Sequence, residues 1–166
     1  VPFRDGGGQL WCEKAWGEYQ EAISSQTVRD LLSHIRRHFF VPDDAPLALG
    51  SCLPGERHEI PMQILLIQCM LRGYRTLMLG PSPAPTAIQS AIALKKPAIV
   101  LLTGSTEIAY NEFAQSVHTL EKLAQVHEHI SFFIGGAGTE QFYEQFQLKA
   151  LKLARTIEDI LPPANL

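Results

Sequence analysis

The sequence predicts an α/β domain built on a parallel sheet, with a helical segment ahead of it. Three observations predict this class. From residue 47 onward, short β-prone apolar runs alternate with longer helical stretches. The run Ala98–Leu102 (AIVLL) is apolar throughout, which suits a central parallel strand buried on both faces. Glycines stand where these runs end, at Gly80 and at Gly135-Gly136, and they allow tight strand-to-helix turns.

Each element follows in order. Residues 10–40 read as helical, because Leu10, Trp11, Ala15, Trp16 and Tyr19, then Val28, Leu31, Leu32 and Ile35, recur at spacings of three to four. Ser24-Ser25-Gln26-Thr27 interrupts this pattern and predicts a second helix start. The Pro-rich stretch Val41–Pro46 reads as a linker, dividing a helical segment at 1–46 from an α/β domain at 47–166. Two helices cannot bury both their faces alone, so the first segment is predicted to be part of a bundle.

Beyond the linker, Leu47–Cys52 is the first strand and Glu59–Leu71 a helix stopped by Gly73. Thr76–Leu79 is a strand and Thr86–Leu94 a helix, closed before Pro97. Ala98–Leu102 is the third strand and Ile108–His127 a long helix. Ser131–Ile134 is the fourth strand and Thr139–Phe146 a helix. Ala150–Leu153 is a weak edge strand and Thr156–Leu161 a last helix. Five strands joined by right-handed crossovers in about 115 residues fit a flavodoxin-like (Rossmann-like) sheet better than a full dinucleotide fold.

Composition excludes several functions. A net charge of −3 over 166 residues does not suit a chain that itself grips a nucleic-acid backbone. No apolar run reaches the roughly 18–20 residues needed to span a bilayer. No secretory leader pattern is present. Cys12, Cys52 and Cys69 are sparse and odd in number, which suits buried thiols in a reducing cytoplasm. Val1 and the Asp5-Gly-Gly-Gly8 run predict that the chain is part of a longer protein.

In doubly wound sheets the ligand sits at the carboxyl ends of the strands, at the switch point. The loops that matter are then those after strands one, three and four. The first holds Pro54-Gly55-Glu56-Arg57-His58, and a carboxylate beside a histidine can take the proton of one ring nitrogen while the other faces a metal. The plainer alternative is a helix-start histidine, with Glu56 a favourable charge at the helix N-terminus. In the third-strand loop, Thr103, Ser105 and Thr106 read as an ordinary polar loop with a helix cap. The fourth ends in Gly135-Gly136-Ala137-Gly138, open to close approach by a flat ligand or required by a tight turn. His34/His38 and His127/His129 read as solvated surface histidines.

These motifs carry a resemblance. Glu56-x-His58-x-x-Pro61 after Pro54-Gly55 resembles the Asp-x-His-x-x-Gly motif of vitamin B12-binding domains. It looks most like the light- and B12-responsive repressors of the CarH/LitR type, in which a MerR-type helix-turn-helix precedes a helical bundle and a B12 domain. Leu79-Gly80-Pro81 and Phe133-Ile134-Gly135-Gly136-x-Gly138 are similar to further family segments. The resemblance spans roughly residues 47–146, and 11–40 more weakly.

The resemblance implies cobalamin as cofactor and His58 as the lower axial ligand to cobalt, oriented by Glu56. It implies a nucleotide-tail pocket beside Thr103, Thr106, Gly135 and Gly136, and Trp16 stacked over the corrin. It also exposes two departures. Leu102 stands where the family carries a serine, and Gln26-Thr27 stands where it carries Glu-His.

The function implied is a cytoplasmic, non-enzymatic sensory domain and photoreceptor that self-associates and reaches DNA through a domain outside this chain. Two alternatives remain. One is a corrinoid subunit of a methyltransferase, which shares fold and histidine. The other is a degenerate domain acting as an interaction module or a haem sensor.

Overall fold

The computed structural model describes residues 17–105 and 110–161, except for the side chains of 110–113 and 140–142. The chain divides into two compact units, Val1–His38 and Phe39–Leu166.

The described part of the first unit is one helix, α1 (Glu18–His38). The break predicted at Ser24–Thr27 does not occur. Thr27 Oγ1 donates to the Ile23 carbonyl at 2.9 Å, and Gln26 Nε2 donates to Asp30 Oδ1 at 2.9 Å. The polar side chains thus find partners within the helix instead of capping a new one.

The second unit is a five-stranded, all-parallel sheet in the order β2-β1-β3-β4-β5. Its strands are β1 (Leu47–Cys52), β2 (Arg75–Met78), β3 (Ile99–Thr103), β4 (Ser131–Gly135) and β5 (Leu151–Leu153). The connecting helices are α2 (Ile60–Leu71), α3 (Pro85–Lys95), α4 (Tyr110–Val126) and α5 (Ala137–Tyr143). This is the predicted flavodoxin-like order, with its switch point between β1 and β3.

Strand alternation fills both layers. Leu49, Val100 and Leu102 pack with Ile88, Leu120 and Phe132 on one face. Ala48, Cys52 and Leu101 pack with Met62, Leu66 and Ile157 on the other. Each large side chain so buried contributes roughly 1.5–3 kcal/mol.

The carboxyl-terminal elements depart from expectation. The last helix is a single 3-10 turn (Ile157–Asp159). Asp159 Oδ2 accepts from the backbone N–H of Arg155 and Thr156 at 2.7 and 2.9 Å, which caps the amino-terminal end of the turn. The weak strand β5 is held by a carboxylate from α4. Glu121, only 8% exposed, accepts from the backbone N–H of Lys149 and Ala150 at 3.0 Å and of Leu151 at 2.9 Å. The placement of β5 therefore rests on a distant side chain more than on its own propensity.

Candidate functional site

The loop after β1 turns at Pro54-Gly55 and delivers Glu56 and His58 just ahead of α2, which carries Pro61 in its first turn. Glu56 is 2% exposed, while the His58 side chain is 39% exposed. Glu56 Oε1 accepts from the His58 backbone N–H at 2.6 Å and from His58 Nδ1 at 2.8 Å. A carboxylate on Nδ1 fixes the tautomer that carries its proton there and makes Nε2 the ring nitrogen suited to a metal.

Glu56 Oε2 accepts a short hydrogen bond from the Ser105 backbone N–H in the loop after β3. Burial alone would raise the Glu56 pKa. Hydrogen bonds from the Ser105 hydroxyl, the two backbone amides and the His58 ring more than offset it, so the carboxyl lies below its ordinary value. The ion therefore stays negative and acceptor-only, which suits a site where every neighbour is a donor.

A buried thiol supports the turn from the sheet side. Cys52 Sγ donates to the His58 carbonyl at 3.8 Å and accepts from Thr103 Oγ1 at 3.8 Å. Burial pushes this thiol up to about 11, so it is a neutral packing group and not a nucleophile.

Gly135 and Gly136 serve backbone contact. A Cβ on Gly135 would meet the Ala154 carbonyl at 2.5 Å. Gly136 has φ +104, and a Cβ there would meet the Gly104 carbonyl at 2.4 Å. Gly104 N–H donates to the Gly135 carbonyl at 3.0 Å, and Gly138 N–H donates to the Gly104 carbonyl at 3.2 Å. The three loops thus form one chain of contacts, from His58 through Glu56 and Ser105–Gly104 to Gly135-Gly136.

The remaining predicted residues divide. Thr103 lies on the α2 face of the sheet beside Cys52, whereas Leu102 is 1% exposed in the opposite layer. Strand alternation therefore leaves Thr103, not Leu102, to offer a hydroxyl on the His58 side. Trp16 and Thr106 lie outside the described residues.

Ser105 is the residue that the sequence did not single out, because it reads there as an ordinary helix cap. The signal available was topological: a β1/β3 switch point brings the loops after β1 and β3 side by side, and Ser105 stands in the second. Among the described residues, no group of three or more His, Cys, Asp or Glu side chains is placed to hold a metal. The oriented donor at the turn is the His58 imidazole.

A flavodoxin-like sheet with a part-exposed histidine hydrogen-bonded to a buried carboxylate at its switch point defines the class: an α/β domain with one oriented imidazole at the carboxyl ends of its strands. Comparison with known proteins carries this further. The HTH-type transcriptional repressor CarA of Myxococcus xanthus is 25% identical over 142 residues, 86% of this chain and 48% of the repressor. The chain thus spans about half the length of that curated relative.

A cobalamin-binding protein from Desulfitobacterium hafniense DCB-2 has a similar structure, with a TM-score of 0.54 and 13% identity over 92% of this chain and 71% of that one. The methanol:cobalamin methyltransferase complex MtaBC of Methanosarcina barkeri gives a TM-score of 0.51 and 16% identity over 91% of this chain and 57% of that one. No protein-family model matches the chain. These likenesses show the fold, shared with cobalamin-binding proteins, and they agree with the resemblance drawn from Glu56-x-His58 and Gly135-Gly136.

Proposed function

We propose that the chain is the cobalamin-binding regulatory part of a transcriptional repressor. The observation that carries this reading is the Glu56–His58 pair, at 2.8 Å, on the β1/β3 switch point of a fold shared with cobalamin-binding proteins. The similarity to CarA supports the repressor role over an enzymatic one.

The residues present fit a cofactor that takes one imidazole from the protein. His58 would hold the cobalt through Nε2, Glu56 would keep the Nδ1 proton in place, and Ser105 would hold Glu56. Thr103 supplies a hydroxyl on the same face of the sheet. Cobalamin, when bound, would supply a cobalt centre able to exchange a ligand with the cell's chemistry or with light. The protein's part would be to hold the His58 imidazole rigid, so that a change at the bound cofactor alters association between copies of the protein. The net charge of −3 supports a reading in which DNA contact is made by another segment of the repressor. Among the described residues, no helix is long and apolar enough to cross a membrane.

Reconstitution tests the reading. The chain is incubated in the dark with hydroxo-, methyl- or adenosylcobalamin, desalted and scanned. The expected result is a retained corrinoid whose absorbance shows a histidine-ligated cobalt. His58→Ala should lower affinity by tenfold or more, at roughly unchanged melting temperature, and shift the spectrum. If no corrinoid is retained, or if His58→Ala leaves the bound spectrum as it was, the reading is wrong. A Soret band near 400 nm in the purified protein would point instead to a haem sensor. The likeness to MtaBC keeps a methyltransferase subunit as the second reading, and methyl transfer from the loaded chain to a partner enzyme would favour it.

A further inference from the structure

The loop after β2 also touches the histidine turn. Ser82 Oγ accepts from the Gly55 backbone N–H at 3.0 Å, and Ser82 N–H donates to the Glu56 carbonyl at 2.8 Å. One residue therefore clasps two consecutive peptide units of the turn that carries Glu56. It does so from a left-handed conformation, φ +45, which L-residues with a side chain seldom adopt. Pro81 and Pro83 flank it, and each restricts the loop's alternatives. Strain in a Pro-bounded loop that ends on the backbone of a candidate ligand turn points to a positioning role.

We infer that Ser82 is a positioning residue for His58, acting through the Gly55–Glu56 backbone. The inference rests on the reading of His58 as a metal ligand. Glu56 is then held at three places: its carboxylate by Ser105, its carbonyl by Ser82, and its own N–H by the Leu53 carbonyl at 2.9 Å. Only the Ser82 clasp comes from a loop outside the β1/β3 pair. It fixes the turn against rotation about the Glu56–Ser105 link, and so fixes the direction in which the imidazole faces.

Two variants test this. Ser82→Ala removes the hydroxyl acceptor and keeps the N–H. Ser82→Gly also removes the hydroxyl but suits the positive φ, so it folds at least as readily. In the ligand-free chain, the nitrogen resonances of the His58 ring are read at one fixed pH. The expected result is a move away from a single Nδ1–H tautomer toward an averaged pattern, with faster hydrogen exchange at Gly55. In the loaded chain, cobalamin affinity should fall by about three- to tenfold in both variants, less than the roughly 10- to 100-fold typical of a group bonded directly to a metal ligand, because Ser82 acts through the backbone.

Unchanged His58 ring signals in both variants would overturn the inference. So would altered ring signals with cobalamin affinity within about twofold of wild type. If the wild-type chain retains no corrinoid, the functional reading fails, and the ring signals of the ligand-free chain decide the role of Ser82 alone. If Ser82→Ala melts far below wild type, the Gly variant gives the result.

Discussion

Replacing Glu56 by Gln should weaken cobalamin binding by roughly 10- to 100-fold and also lower stability. The reason is a mismatch of donors. Glu56 Oε1 faces the His58 backbone N–H and Nδ1, and Oε2 faces the Ser105 N–H. A carboxylate accepts on both oxygens, but an amide has one acceptor and one donor group. Whichever way Gln turns, its NH2 opposes either His58 or Ser105. At least one buried donor loses its partner, at a cost of about 1–3 kcal/mol for each, and the imidazole's orientation is weakened. Absorbance titration of the variant with hydroxocobalamin checks the first effect and thermal melting the second. Wild-type affinity in Glu56→Gln would show that the carboxylate does not orient the ligand.

The second large effect concerns stability alone. Glu121→Ala removes the acceptor shared by the N–H groups of Lys149, Ala150 and Leu151 at the start of β5. Leaving two or three partly buried donors unsatisfied should cost about 3 kcal/mol. In a chain of this size that lowers the melting temperature by roughly 10 °C. Glu121 is outside the histidine turn, so the spectrum of bound cobalamin below the melt should not change.

The Glu121 contribution is pH-dependent, with a definite sign. Burial would raise its pKa, but the three amides and the Gln125 side chain more than offset this and hold it below the ordinary glutamate value. A carboxylate depressed in the folded state stabilises above its unfolded pKa, about 4.3. That stability is lost as pH falls through the lower folded value. The difference in urea midpoint between wild type and Glu121→Gln should therefore be largest near neutral pH and shrink below about pH 4. A difference that grows on acidification would show that the carboxylate is not the stabilising species.

The sheet was legible because parallel strands buried on both faces leave an unmistakable trace, as in AIVLL at 98–102. The elements misread are those whose outcome depends on a single polar side chain. Thr27 bonds backward to Ile23 and so continues a helix that its type would otherwise interrupt. Asp159 caps a turn that the periodicity extends to a full helix. The same division holds at the site. Glu56 and His58 lie two residues apart, and their pairing is a local matter. Ser105 is 49 residues from its partner Glu56, and only the strand order brings it there. Gly135-Gly136 was visible as a close approach, but the sequence does not say whether ligand or backbone approaches. The Gly104 and Ala154 carbonyls supply a backbone reason.

The thiol beneath the histidine turn has a practical use. Cys52 and Cys69 are both fully buried and both held near 11, so neither alkylates while the domain is closed. Cys69 lies near the far end of α2, away from the turn, whereas Cys52 is bonded to the His58 carbonyl. Local opening of the turn exposes the first site to reagent without the second, and global unfolding exposes both. The order in which Cys52 and Cys69 are alkylated, read by peptide mass, thus times how often the histidine loop lifts off the sheet.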